Sequence, residues 1–196
     1  DNAGSRDADD AISIEGDRVW IHIADVASYV DINSDLDLYA QKRASNLYLP
    51  DQILHMLPPK ISDVCSLGIG EISNAVSVGF LMNDSEISDI KIYLSQIKVT
   101  KMSYEEADKS LHENISLSML NEIAKDHKKY RDTNGAIRLD LPKTDIKVKD
   151  QKVLVLPQLL SESREMVSEI MVLAGRVIAQ YSIENNISMP YLSQAS

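Results

Sequence analysis

The sequence predicts an α/β (α+β) fold in which a mixed, largely antiparallel sheet packs against helices. Three observations lead there. Apolar–polar alternation appears in early paired stretches joined by short turns, helical spacing dominates the second half, and strands precede helices more than they alternate with them. Residues 11–15 and 19–25 alternate about Gly16-Asp17 and read as a hairpin. A helix is expected over 35–47, with Ser34 or Asp35 as N-cap and Leu36, Tyr39, Ala40, Arg43 and Leu47 on helical spacing. Residues 49–59 are expected as loop, because Pro50, Pro58 and Pro59 block regular structure. Residues 75–82 and 86–99 form a second antiparallel pair about Asn83-Asp84-Ser85. Ser103-Tyr104-Glu105-Glu106 has capping-box spacing and starts a helix, and another is expected over 116–130. A short hairpin joins 145–148 to 153–156. The longest helix, 161–184, carries an apolar stripe of Val167, Ile170, Met171, Ala174, Val177, Ile178 and Tyr181.

Composition narrows the function classes. The 196 residues fit one domain or a large piece of one, and 44% hydrophobic content is ample for a core. No apolar run approaches the roughly 18–20 residues that span a bilayer, and no secretory signal opens the chain, so no membrane partner is expected. The lone Cys65 excludes a disulfide partner and a Cys-based zinc finger, and it suits a reducing compartment. The expected location is the cytoplasm, or an organelle stroma or matrix if a targeting segment has been removed. A net charge of −10 argues against holding nucleic acid through bulk surface charge, leaving a local, metal-assisted site as the route. That charge is uneven. Residues 1–51 hold eleven carboxylates against four basic groups, whereas over 101–150 ten acids and ten bases cancel. The chain opens in a polar turn-like stretch and closes on the extended Met189-Pro190-Tyr191-Leu192-Ser193-Gln194, as expected of a piece of something longer.

Asp1, Asp7, Asp9 and Asp10 fall within ten residues, just before the first strand. Carboxylates so close raise one another's pKa unless cations neutralise them. Hard oxygen donors of this kind suit Mg²⁺, with Mn²⁺ as a substitute. Two such ions can hold an attacking water and a leaving oxygen in line across a phosphodiester. By spacing alone a solvated Ser/Asp/Gly-rich tail is the commoner explanation of the same residues, and the metal reading is weak. A calcium loop fails in detail, lacking the central Gly and the Glu at position twelve.

Asp1-Asn2-Ala3-Gly4-Ser5-Arg6-Asp7-Ala8-Asp9-Asp10-Ala11-Ile12 resembles the signature of the ribonuclease II/ribonuclease R family, whose catalytic unit is the RNB domain. The family pattern is an Asp, five residues, then Asp-x-Asp-Asp-Ala. Further blocks follow in order: His22-Ile23-Ala24-Asp25-Val26-Ala27, Leu36-Asp37, Ala40, Arg43, Tyr48-Leu49-Pro50-Asp51, Met56-Leu57-Pro58 and Cys65-Ser66-Leu67. Gly135-Ala136-Ile137 and Arg164-Glu165-Met166-Val167-Ser168-Glu169-Ile170-Met171 continue the series to near the end.

The resemblance implies a partial RNB catalytic domain over 1–196, incomplete at its C-terminal side, from a Mg²⁺-dependent enzyme. Such enzymes hydrolyse single-stranded RNA from its 3′ end to nucleoside 5′-monophosphates. By similarity Asp1, Asp7 and Asp10 hold or orient the metal, and Asp9 joins them as the residue essential to the chemistry. Tyr104 matches an aromatic that packs on the 3′-terminal base, with a helix-start staple as the plain alternative. Tyr48 matches a tyrosine near the substrate end, against simple loop packing. Arg43 reaches phosphate or pairs with nearby aspartates. Glu169 matches a glutamate lining the RNA channel, against an ordinary helix-surface residue. His22 reads as a structural hydrogen-bonder beside the site, and Cys65 as packing.

Departures are visible. Leu139 stands where the family places the second aromatic of its base clamp, Gly175 where Asn is frequent, and Leu192 where an Arg commonly follows. The block bearing the phosphate-stabilising arginine, the cold-shock-type modules and the S1 module are expected outside the chain. On its own it is therefore expected to be inactive or nearly so. Single-stranded RNA and RNA-decay machinery are the implied partners. The alternative is a catalytically weak or inactive RNB-like RNA-binding scaffold. Two smaller features carry less: Gly68-Ile69-Gly70 is a turn rather than a phosphate loop. Lys125, Lys128, Lys129 and Arg131 are expected to serve a helix dipole rather than RNA.

Overall fold

The computed structural model describes residues 8–49, 51–83, 85–137, 144–149, 152–157 and 161–192. Strands β1 (Asp10–Glu15) and β2 (Arg18–Ala24) form the expected hairpin, and Gly16 at φ 59° supplies the left-handed residue its two-residue turn needs. Helix α1 spans Asp35–Arg43, with the Ser34 hydroxyl accepting from the Asp37 amide. It stops four residues short of the expected end. Ala44 turns left-handed at φ 62° and returns its N–H to the Ala40 carbonyl, which frees Leu47 for an extended segment.

Three further short elements lie in or beside the expected loop. Strands β3 (Leu47–Tyr48) and β4 (Ile53–Leu54) pair, and helix α2 runs Pro59–Cys65. Pro59 does not interrupt this helix. It occupies the first turn, where its missing N–H has no helical partner to lose. Strands β5 (Ser73–Asn83) and β6 (Glu86–Ile97) form the long antiparallel pair, with a register shift between Gly79 and Leu81. Together they complete a four-stranded antiparallel sheet ordered β1-β2-β5-β6.

Helix α3 (Tyr104–Ser110) carries the complete capping box: Ser103 Oγ accepts from Glu106 N, and Glu106 Oε2 accepts from Ser103 N. Helix α4 spans Ile115–Thr133, capped by Asn114. The hairpin β7 (Thr144–Lys149) and β8 (Lys152–Pro157) follows, then helix α5 (Glu162–Glu184) with Ser161 as N-cap.

One sheet face and two helices make the core. Val19, Ile21, Val78, Phe80 and Ile87 meet Leu120 and Ala124 of α4 and Met166, Ile170, Leu173, Ala174 and Val177 of α5. Among the described helices α5 alone is long and apolar enough to cross a bilayer, but its apolar stripe faces this core. Across the α4–α5 seam runs a ladder of ion pairs: Lys125 with Glu162 at 2.9 Å, Lys128 with Glu165, and Arg131 with Glu169 at 2.9 Å. Three of the four basic residues of the cluster, Lys125, Lys128 and Arg131, thus pair with the next helix. Lys125, Lys128 and Arg131 at i, i+3, i+6 and Glu162, Glu165 and Glu169 at i, i+3, i+7 each keep to one helix face.

Candidate active site

Two backbone bonds fix the approach to β1. The Leu67 N–H donates to the Ala8 carbonyl at 2.8 Å, and the Ala24 N–H donates to the Asp9 carbonyl at 2.9 Å. Ala8 is buried between its neighbours, Asp9 is exposed, and Asp10 is half-buried at the mouth of the strand. In an extended chain consecutive side chains point to opposite faces, yet these two carboxyl groups still feel each other. Burial pushes the Asp10 carboxyl up from its ordinary range, and the charge of Asp9 and the hydrogen bond that a protonated Asp10 donates to it push the same way.

Asp10 lines a cavity of about 740 Å³ together with His22, Lys98, Lys101, Tyr104 and Asn114. Tyr104 is the first residue of α3, so the capping box at Ser103 and Glu106 sets its position. Burial raises its hydroxyl, the nearby Arg164 guanidinium opposes that, and the Asp10 charge adds to it. Lys98 and Lys101 lie in the irregular connection before the capping box. No spacing in the sequence marks that stretch as cavity lining.

His22 is held by hydrogen bonds at both ring nitrogens. Nε2 meets Ser13 Oγ at 3.0 Å and Nδ1 meets Ser77 Oγ at 2.6 Å. Ser77 in turn bonds Ser95, whose hydroxyl donates to the Ala75 carbonyl at 3.2 Å. Since Ser95 gives its proton to a carbonyl, Ser77 donates to Ser95, His22 Nδ1–H donates to Ser77, and Ser13 donates to Nε2. Burial lowers the imidazole pKa and favours this neutral form. The structural reading of His22 fits this arrangement. Cys65 is buried and its thiol is pushed up by burial and by the Asp25 charge, as suits packing.

Tyr48, Arg43 and Glu169, also expected at the site, do not line this cavity. Tyr48 is exposed on β3, its hydroxyl accepting from Asn46 Nδ2 at 3.3 Å. Arg43 packs its guanidinium 5.2 Å from the Tyr39 ring centre and donates from Nε to Tyr39 Oη at 2.8 Å, in place of a nearby aspartate. Glu169 is not an ordinary helix-surface residue: it is buried in the α4–α5 seam. Its carboxylate accepts from Arg131 Nη1 at 2.9 Å and its Oε1 pairs with His127 Nδ1 at 2.9 Å. The three- and four-residue spacing of α4 bases and α5 acids was the available signal for that seam. Asp1, Asp7 and Leu139 lie outside the described residues. A side chain at Gly175 would meet open space, beside a second cavity of about 530 Å³, so packing does not force the departure there.

Among the described residues no three His, Cys, Asp or Glu side chains converge as a metal group. Asp9 and Asp10 nonetheless suit Mg²⁺, which keeps waters and uses one or two carboxylates plus substrate phosphate. The raised Asp10 is the electrostatic stress that a divalent cation relieves.

An antiparallel sheet backed by two long helices, with an acidic doublet entering its edge strand beside an aromatic-lined cavity, belongs to a known class of domain. The RNB domain pattern matches residues 1–196, and the chain belongs to that family. It is 35% identical over 207 residues to an uncharacterised ribonuclease of Synechocystis, covering 99% of this chain and 31% of the relative. To ribonuclease R of Chlamydia pneumoniae it is 33% identical, covering 98% and 31%. Mycoplasma genitalium RNase R, solved in complex with ribose-methylated single-stranded RNA, superposes with a TM-score of 0.87 at 26% identity, covering 97% of this chain and 33% of that one. The chain therefore spans about a third of the length of these relatives.

Proposed function

We propose that the intact protein is a hydrolytic 3′→5′ exoribonuclease that degrades single-stranded RNA to nucleoside 5′-monophosphates. In this reading residues 1–196 are the N-terminal portion of its RNB catalytic domain. A phosphate-stabilising arginine and flanking RNA-binding modules belong to the remainder. Asp1, Asp7, Asp9 and Asp10 hold Mg²⁺ and carry the chemistry. The observation that carries the reading is the Asp9–Asp10 doublet, whose inner member shares a cavity with Tyr104. Bound Mg²⁺ supplies charge neutralisation at the scissile phosphate and in-line placement of water and leaving oxygen.

The chain's own residues do the rest. Asp10, anchored by the paired backbone of β1, fixes one carboxylate in place, and Asp9 presents a second toward solvent. Tyr104 offers an aromatic face to the terminal base, and stacking of about 1–3 kcal/mol per base is tolerant of sequence. Leu139 adds apolar contact without a π face, and Tyr48 and Arg43 contact the strand further out. Glu169 acts through its ion pair with Arg131, which fixes the helix seam behind the channel. The neutral His22 adds no positive charge to compete with the metal.

The test is a 5′-labelled single-stranded RNA given to the intact protein with Mg²⁺, alongside its Asp9→Asn variant and an EDTA control. A ladder shortening from the 3′ end, lost in both controls, is the expected result. RNA bound but uncut would overturn the enzyme reading and favour a scaffold.

A further inference from the structure

Tyr104 does not stand alone. The Arg164 guanidinium lies 4.2 Å from the centre of its ring. Tyr104 lines the cavity that holds Asp10, and Arg164 does not, so the guanidinium covers the ring from behind. The two residues come from different helices, α3 and α5, whose starts are tied together. Ser163 Oγ donates to the Tyr104 carbonyl at 3.2 Å, the Ser163 N–H donates to Asp108 Oδ1 at 2.8 Å, and Ser161 Oγ donates to the same oxygen at 3.3 Å. The Ser161 cap also accepts from the Arg164 N–H at 3.1 Å, fixing where the arginine leaves α5.

We propose that Arg164 is a positioning residue for RNA binding: stacked behind Tyr104, it locks the ring so that its free face is presented to the 3′-terminal base. This rests on the reading of Tyr104 as the base-stacking group. The physical case is simple. A half-buried tyrosine on the first residue of a short helix has two ring rotations to lose when a base stacks on it. A planar cation on the rear face removes that freedom beforehand and leaves the front face unobstructed. A lysine in its place keeps the charge but not the plane.

The test uses the intact protein in EDTA with a single-stranded RNA carrying 2-aminopurine at its 3′ end, whose fluorescence is quenched on stacking. Tyr104→Ala should abolish the quenching and weaken binding by roughly 5- to 150-fold, the span expected for one stacked base. Arg164→Ala should lose most of the quenching and weaken binding by about 2- to 5-fold, the size of a single cation–π contact. The double variant should be no worse than Tyr104→Ala alone, and Arg164→Lys should recover part of the signal. The salt dependence of binding should stay as in the parent. Full quenching in Arg164→Ala overturns the proposal. So does a salt slope reduced by about one, which would make Arg164 a phosphate contact. Quenching that survives Tyr104→Ala overturns the reading of Tyr104 itself, a result separate from either.

Discussion

Replacing Glu169 with glutamine should destabilise the protein far more than the same change one turn earlier on α5. The Glu169 side chain is 8% exposed and accepts from Arg131 Nη1 at both carboxylate oxygens, 3.1 and 2.9 Å, while pairing with His127 at 2.9 Å. Removing one partner of a buried ion pair costs about 3–5 kcal/mol. Two features reduce that. Arg131 is 31% exposed and recovers water, and the glutamine oxygen keeps one acceptor. The expected loss is about 2–3 kcal/mol. Glu165→Gln breaks only the Lys128 pair, whose glutamate is 58% exposed, and should cost no more than about 1 kcal/mol. Urea midpoints followed by the fluorescence of the lone Trp20, with an unchanged m-value, measure both. Equal midpoint shifts in the two variants would refute the argument that the seam is sealed at Glu169.

Gly79→Ala should destabilise by about 1–3 kcal/mol and shift Trp20 emission, because a methyl group there would sit 2.5–2.7 Å from the indole ring lying across the sheet. Ala44→Gly should stabilise by about 0.5–1 kcal/mol, seen as a higher urea midpoint, since residue 44 ends α1 at φ 62°. Burial lowers the pKa values of His22 and His127 below the ordinary 6.5. The unfolded chain therefore takes up these protons first, so stability should be full above about pH 6.5 and fall as the pH drops below it. Urea midpoints between pH 7.5 and 5.5 check this, and a flat profile would contradict it.

Much of the fold is legible from local pattern. Gly16-Asp17 between two alternating stretches, the Ser103–Glu106 box and the α5 stripe each specify their element without help from distant residues. The errors are places where tertiary context wins. The helical spacing of α1 continues to Leu47 in the sequence, but Ala44 turns out so that Leu47 and Tyr48 can pair with Ile53 and Leu54. Pro59 reads as a breaker unless it is known to fall in a first turn. At the site, the aspartate spacing is visible in the chain, and so is Tyr104 through its capping box. Lys98, Lys101 and Arg164 are not visible, because the first two occupy an irregular connection and the third acts across a helix–helix contact. The buried setting of Glu169 needs both helices to be aligned before it can be seen.

The hydroxyl-and-imidazole line running from Ser13 through His22, Ser77 and Ser95 to the Ala75 carbonyl has one polarity, with every proton already committed. Adding a proton to Nε2 would force Ser13 to rotate and surrender its acceptor. The ring therefore resists charging for a reason beyond its burial. The floor beside Asp10 stays electrically blank over the pH range in which an ordinary histidine switches on. His22 therefore brings no pH-switched positive charge to the cavity it shares with Lys98 and Lys101, and acidification there acts instead on the raised carboxyl of Asp10.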